Sequence, residues 1–343
     1  MKEIWKTLFI LPLITLIGCN QAEQQALQQY GEFLADAFEV APLSLTPQPF
    51  PTKRSLTLAN LDRQLTLLES LTLEQCDLLY LASDKNQILN KHQSAASNYV
   101  FQLSLLNNLT HCLNTADSLS LSDRAFLTEL TNEKQQKLPL YFWQMLFADN
   151  TGYDFFFGHS QLFPLQGHQF SQASLASLRS LNQLNPSHST SLQQQLALTN
   201  GLNQHLALMS KSRYLPSLIM TTEHAISQLD FASELLASNQ ASISCQGRRH
   251  PLSFDKLKAI FSHRYVALMQ PYIAILNREL HQVMPLLNAL IEPMPPSIDQ
   301  HTRQSLTQIL SVQTRLTLSS QRHQQQWQQL FTRCQQSVTT TAR

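Results

Sequence analysis

The chain runs to 343 residues and carries 24 basic against 23 acidic side chains, a formal net charge of +1. So balanced a chain has no general electrostatic attraction for a polyanion, which argues against nucleic acid as a partner. Seven glycines, where usage of about 7 % would supply roughly 24, are too few for many tight β-turns or phosphate-cradling loops. Charged residues make up 14 % against a usual ~25 %, and Gln, Ser, Asn and Thr take their place at the surface. The 43 % of hydrophobic residues is ample for a core, in one large domain or two packed subdomains. Leu dominates that set and β-branched residues are sparse, so helices are favoured.

At the start of the chain, Lys2 and Lys6 flank the entry to ten mostly apolar residues, Leu8 to Ile17. That is the layout of a secretory signal peptide, and it is too short for a membrane-spanning helix of about 20 residues. The run closes on Leu16-Ile17-Gly18-Cys19, which resembles a bacterial lipobox. The resemblance implies cleavage after Gly18, thioether lipidation of Cys19 and acylation of the new amino terminus. An ordinary secreted protein with a cysteine near its cleavage site is the alternative. Loss of residues 1–18 takes the basic count from 24 to 22 and the acidic count from 23 to 22, leaving a formally neutral chain. Asn20 stands where an aspartate is the usual inner-membrane retention cue, so the expected place is the outer membrane, facing the periplasm.

Helical spacing begins at once. Leu27, Tyr30, Phe33 or Leu34 and Ala37 or Phe38 predict a helix over 22–39, with almost no tether before it. Pro42, Pro47, Pro49 and Pro51 then force an extended segment over 41–51. From Leu56 to Leu113 the pattern is a helical hairpin, its first arm striped by Leu58, Leu61, Leu65 and Leu68. A further helix is expected from Ser122 to Pro139, and 140–147 is short, aromatic and helical. Residues 149–170 break the pattern with Gly152, Gly158 and Gly167 among six large aromatic rings. Helices resume over 175–181, 189–211 and 216–238, the last opened by Pro216 in its first turn. One more runs from Ser253 to Leu290, kinked or divided at Pro271 and Pro285. After Pro293, Pro295 and Pro296 a final helix reaches from Ser297 to Cys334.

The expected fold is therefore all-α, a bundle of about eight to ten helices with Pro-rich and aromatic connecting loops. Its expected parts are the signal peptide 1–18, an N-terminal helical subdomain 19–150, an aromatic loop 151–170 and a C-terminal helical subdomain 171–343 continuous with the first. With Cys19 set aside, the even number Cys76, Cys112, Cys245 and Cys334 suggests two disulfides in an exported chain, free buried thiols being the alternative. Of the three pairings, sequential helical hairpins favour Cys76–Cys112 and Cys245–Cys334, because crossed pairing would require the two halves to interleave.

Four stretches together look like one family. They are residues 54–62 with the run ending Cys76-Asp77-Leu78, Asn86 and Leu113; residues 153–165; Phe261, Tyr265 and Gln270-Pro271-Tyr272; and His323 with Trp327, Leu330 and Cys334. They resemble an uncharacterised family of Gram-negative envelope lipoproteins known only as a domain of unknown function, over nearly the whole mature chain. Around Ser83-Asp84-Lys85-Asn86 the asparagine is kept and the family's Arg-Asn-Ser flavour is not. The resemblance implies an exported helical lipoprotein and transfers no activity.

Catalytic signals are thin. Gly158-His159-Ser160-Gln161-Leu162 has four of the five positions of a nucleophile elbow, with leucine where glycine is wanted and no strand before it. The twelve histidines form no His-Glu-x-x-His or Glu-x-x-His pair, and no Cys-x-x-Cys occurs, so no metal and no cofactor are expected. The rings of 153–170 more often plug a helical core, but they can also line a pocket or present a partner surface. On the second reading Phe156, Phe157, His159, Phe163, Tyr265, Gln270, Tyr272 and Trp327 form one partly exposed interaction surface. The functional expectation is a non-enzymatic module, membrane-bound through Cys19, that docks an envelope protein or braces the envelope. The alternative is an enzyme or small-ligand binder with 153–170 as its lid.

Overall fold

A computed structural model of the protein describes residues 21–44, 50–59, 61, 67–74, 76, 78, 94–116, 119–187, 191–246, 252–292 and 294–335. The signal segment, Cys19, Pro47, Pro49 and the turn at Asn86 lie outside them. The protein is all-α: among the described residues the only β-pairing is an isolated bridge between Ser244 and Ser253.

The first helix, α1 (Gln21–Ala37), is driven into the core along one face. Glu23, Ala26, Leu27, Tyr30, Leu34 and Ala37 are all buried, and they recur at helical spacing. After the Pro-rich crossing comes a single turn, α2 (Lys53–Leu56), and then α3 (Leu67–Glu74). The helix expected from Leu56 is not formed at its start, because 57–59 is extended. Tertiary hydrogen bonds have captured the carbonyls a helix would have used. Trp143 Nε1 donates to Leu56 O at 3.0 Å, Gln144 Nε2 to Leu58 O at 2.6 Å and Tyr141 Oη to Leu61 O at 2.9 Å.

Next, α4 (Ala95–Thr115) packs against α5 (Leu121–Trp143). The N-cap of α5 is Ser120 rather than Ser122, its Oγ accepting from Asp123 N at 3.1 Å. Nor does α5 stop at Pro139. Leu138, Tyr141, Phe142 and Trp143, all buried, carry it through, and the path then widens into a π-helical turn, Gln144–Ala148. Around α3, α4 and α5 a small second core gathers Leu73, Leu78, Leu105, Leu109, Cys112, Leu127 and Leu130. The Cys76–Cys112 disulfide, Cα atoms 5.6 Å apart, crosses it.

Residues expected to be loop are helix. Segment α6 (Asn150–Phe157) is capped by Asp149, whose carboxylate accepts from Thr151 N at 3.1 Å. Gly152 lets it lie on the preceding π-turn, for a Cβ there would fall 2.1 Å from Leu146 O and 2.7 Å from Met145 O. This glycine serves close packing, where the sequence suggested a chain break.

Irregular chain from Gly158 to Phe170 leads into α7 (Ser171–Leu184). The helix expected over 189–211 is two, α8 (Leu192–Thr199) and α9 (Leu202–Met209), parted at Asn200-Gly201. The long α10 (Tyr214–Asn239) follows, with Pro216 in its first turn. From the N-cap Ser253 one helical path runs as α11 (Phe254–Ile260), a π-helical stretch Phe261–Met269 and α12 (Gln270–Ile291); neither Pro271 nor Pro285 divides it. The last helix splits at Ser311 into α13 (Gln300–Leu310) and α14 (Val312–Arg333). Helix α10 packs on both α1 and α14, and a second disulfide, Cys245–Cys334 with Cα atoms 5.1 Å apart, ties the loop before α11 to the end of α14.

Gly152→Ala should lower stability by about 3 kcal/mol, because backbone of the π-turn must move. At Gly167, with φ +88° and no atom within 4 Å of a built Cβ, alanine meets only conformational strain and should cost about 1 kcal/mol. Urea midpoints of the two variants measure the difference, and equal effects would refute the packing role of Gly152.

Candidate functional site

Three buried polar centres organise the aromatic residues, and α1 takes part in two of them. The first joins α1, α10 and α14. Trp327 Nε1 can only donate, and it does so to Tyr30 Oη at 2.8 Å. The Tyr30 proton therefore goes to His323 Nε2, 2.9 Å away, which must be unprotonated. That places the ring proton on Nδ1, facing Ser233 Oγ at 3.4 Å, and Ser233 in turn donates to Leu229 O at 2.6 Å. The relay is closed at both ends by protein. His323 is wholly buried, and burial pushes its pKa down to about 3, so the ring stays neutral. Tyr265 packs edge-on to it with centroids 4.7 Å apart, while Phe261 lies 4.4 Å from Trp327. A serine, a histidine and a tyrosine in line have the composition of a catalytic set. Here every proton is committed to an internal acceptor.

The second centre is Glu279 on α12, buried, whose Oε2 accepts from Ser171 Oγ at 2.8 Å and Tyr214 Oη at 2.9 Å. Burial, aided by the Glu279 charge, raises the Tyr214 pKa. Burial also lowers that of the neighbouring His168, with Glu279 opposing.

The third centre holds the irregular segment. Phe163 N donates to Thr221 Oγ1 on α10 at 2.8 Å, and Tyr272 Oη on α12 donates to Phe163 O. Leu165 N donates to Glu23 Oε1 on α1 at 3.3 Å. Glu23 is only 5 % exposed.

These placements overturn the expected aromatic surface. Phe156, Phe157, Phe163, Tyr265, Tyr272 and Trp327 are all buried, and only His159 and Gln270 are exposed. The residues also divide: Phe156 and Phe157 pack with Phe147, Phe163 with Tyr214 and His168, and Tyr265 and Trp327 with the His323 relay. Their polar tips are spent stitching helices together, as Tyr and Trp tips in cores commonly are. Ser160, the would-be nucleophile, donates to Met220 Sδ at 3.2 Å. Sequence reading passed over Tyr30, Ser233, Glu279 and Tyr214, whose one available signal was a polar residue on an apolar helix face.

A narrow cleft of about 20 Å³ is lined by Phe50, Ile219, Met220, Glu223, Ser305, Gln308 and Ile309. That is room for about one water molecule, far below the volumes that hold small ligands. Its carboxylate is held by Arg315, whose Nη1 reaches Glu223 Oε2 at 2.7 Å while Nη2 binds the other oxygen. Among the described residues no three His, Cys, Asp or Glu side chains lie together as a metal site would require.

The His323 relay sets a pH dependence. The unfolded ring, near 6.5, takes up a proton that the folded ring refuses until about pH 3. Its contribution to stability is complete above pH 6.5 and is lost as pH falls through that window. From pH 7.5 to 5 the wild type should lose about 2 kcal/mol more than His323→Gln in urea titrations; parallel losses would show the ring to be accessible. Tyr30→Phe, which strands the Trp327 donor and the His323 acceptor, should cost about 2–3 kcal/mol at neutral pH in the same assay.

No curated protein and no solved structure matches the chain. A family described as protein of unknown function (DUF3080) matches residues 27–338, from within the first helix through the His323 and Glu279 centres to the second disulfide, and the chain belongs to it.

Proposed function

We propose that the protein is a lipid-anchored periplasmic module, held at the outer membrane through Cys19, that acts by docking an envelope partner or bracing the envelope, without making or breaking bonds. The observation that carries this reading is the burial of α1 from Glu23 onward, four residues after Cys19. A chain that enters its core so soon leaves no free tether, so acyl chains on Cys19 would bring the folded body itself to the membrane. Three such chains suffice for lasting attachment, at about 0.8 kcal/mol per buried methylene, where a single chain does not. The closed His323 and Glu279 centres support the non-enzymatic half of the reading. The Ser, His, Tyr and Glu side chains that converge are hydrogen-bonded to one another and to backbone.

Cys19→Ser should move the protein from the membrane to the soluble fraction or halt it as unprocessed precursor; unchanged membrane attachment would overturn the anchor. Photocrosslinkers at the exposed Gln270 and His159 test docking in intact cells. One reproducible envelope protein, captured by the wild type and lost with Cys19→Ser, is the expected result. No capture from either position would overturn it.

A further inference from the structure

We infer that the tip formed by residues 162–170, together with the first turn of α1, is the face that lies on the phospholipid surface. The inference rests on lipidation at Cys19 and adds where on the body the membrane touches. Distance is the first argument. Cys19 to Gln21 is two residues, about 7 Å if fully extended, and Gln21 to Glu23 adds about 3 Å of helix rise. Glu23 is bonded to the Leu165 amide. The acylated residue therefore leaves the chain within roughly 20 Å of Leu165. A headgroup layer is only some 5–8 Å deep per leaflet, so surface this close to inserted acyl chains is brought to it.

Shape is the second argument. Pro164 O accepts from Gly167 N at 3.0 Å, closing a turn whose Gly167 takes φ +88° with open space around it. The segment is pinned at Phe163 and Leu165 by Thr221, Tyr272 and Glu23, each from a different helix, and Leu162 and Leu165 rest on the core. The turn is thus presented at the surface on fixed backbone.

Chemistry is the third. Residues 158–170 contain no Asp, Glu, Lys or Arg, so no charge has to be desolvated at the headgroup boundary. Leu162, Pro164, Leu165 and Phe170 are partly exposed, and Gln166 at the tip is exposed. Small apolar area with amide hydrogen-bonding groups suits an interface that is half hydrocarbon and half phosphate. Beside it Arg278, 63 % exposed, pairs loosely with Glu279 Oε1 at 3.6 Å, while Glu279 Oε2 holds Ser171 at the end of the segment; the exposed guanidinium keeps donors for lipid phosphate.

The test uses the full lipidated protein in phosphatidylethanolamine–phosphatidylglycerol vesicles, some carrying phospholipid brominated near the top of its acyl chains. Trp143 and Trp327 are buried, so a tryptophan introduced by Leu165→Trp or, as a second site, Leu162→Trp reports its own surroundings. Leu121→Trp is the control, 90 % exposed at the first residue of the 23-residue α5, whose N-terminal half packs in the second core rather than with the tip. Bromination should quench the 165 and 162 probes at least about twofold and leave the 121 probe nearly unchanged, as expected for one interfacial face. Equal quenching at 121 and 165, or none at 165 and 162 in protein that floats with the vesicles, would overturn the assigned face and leave the anchor standing. Protein that fails to float and whose N-terminal peptide lacks acyl mass would overturn the anchor, and this inference with it.

Discussion

The donor chain from Trp327 through Tyr30 and His323 to Ser233 is the constraint on which the packing turns. A fully buried imidazole is tolerable only when it is neutral and both nitrogens are paired. Here one nitrogen is satisfied from the first helix and the other from α10, while the ring itself belongs to α14. Tyr30 and His323 are 293 residues apart, so the pairing ties the two ends of the described chain together. Phe261, Tyr265 and Phe331 then close around it, so the relay sits in a low-dielectric pocket, where losing a partner is costly.

That relay is also what makes α1 structural. Glu23 and Tyr30 lie seven residues apart, two turns along the same buried face. The first turn of the helix therefore holds the tip at Leu165, and its middle locks the C-terminal helix through Trp327. Helix α1 is thus the element that makes the segment at Leu165 and the core mechanically one.

Aromatic residues misled the sequence reading for a definite reason. Helix α6 is only 8 residues long and its buried rings, Phe155, Phe156 and Phe157, are consecutive, so they draw no 3.6-residue stripe and read as a break. Gly152 strengthened that impression, because a packing glycine and a turn glycine look alike in sequence. The π-helical stretches hide in the same way, since one extra residue per turn shifts the stripe out of phase. The early end assigned at Pro139 reflects a local cost of about 3 kcal/mol that burial of Tyr141, Phe142 and Trp143 outweighs.

What the sequence determined by itself is what local signals can carry. Leu spacing and scarce glycine made the chain all-α, Pro216 and Ser253 marked helix starts, and the prolines at 293–296 marked a loop. Each of those signals acts within a turn or two of its own residue. Tertiary structure alone decided the rest: that the chain leaves the helical path after Leu56 to give carbonyls to Trp143 and Gln144, that six of the eight candidate surface residues are core, and that Glu23, Tyr272 and Thr221 meet at one segment. Those outcomes depend on hydrogen bonds between groups 58 to 142 residues apart, and no periodicity within a helix records which distant donor will reach a given carbonyl.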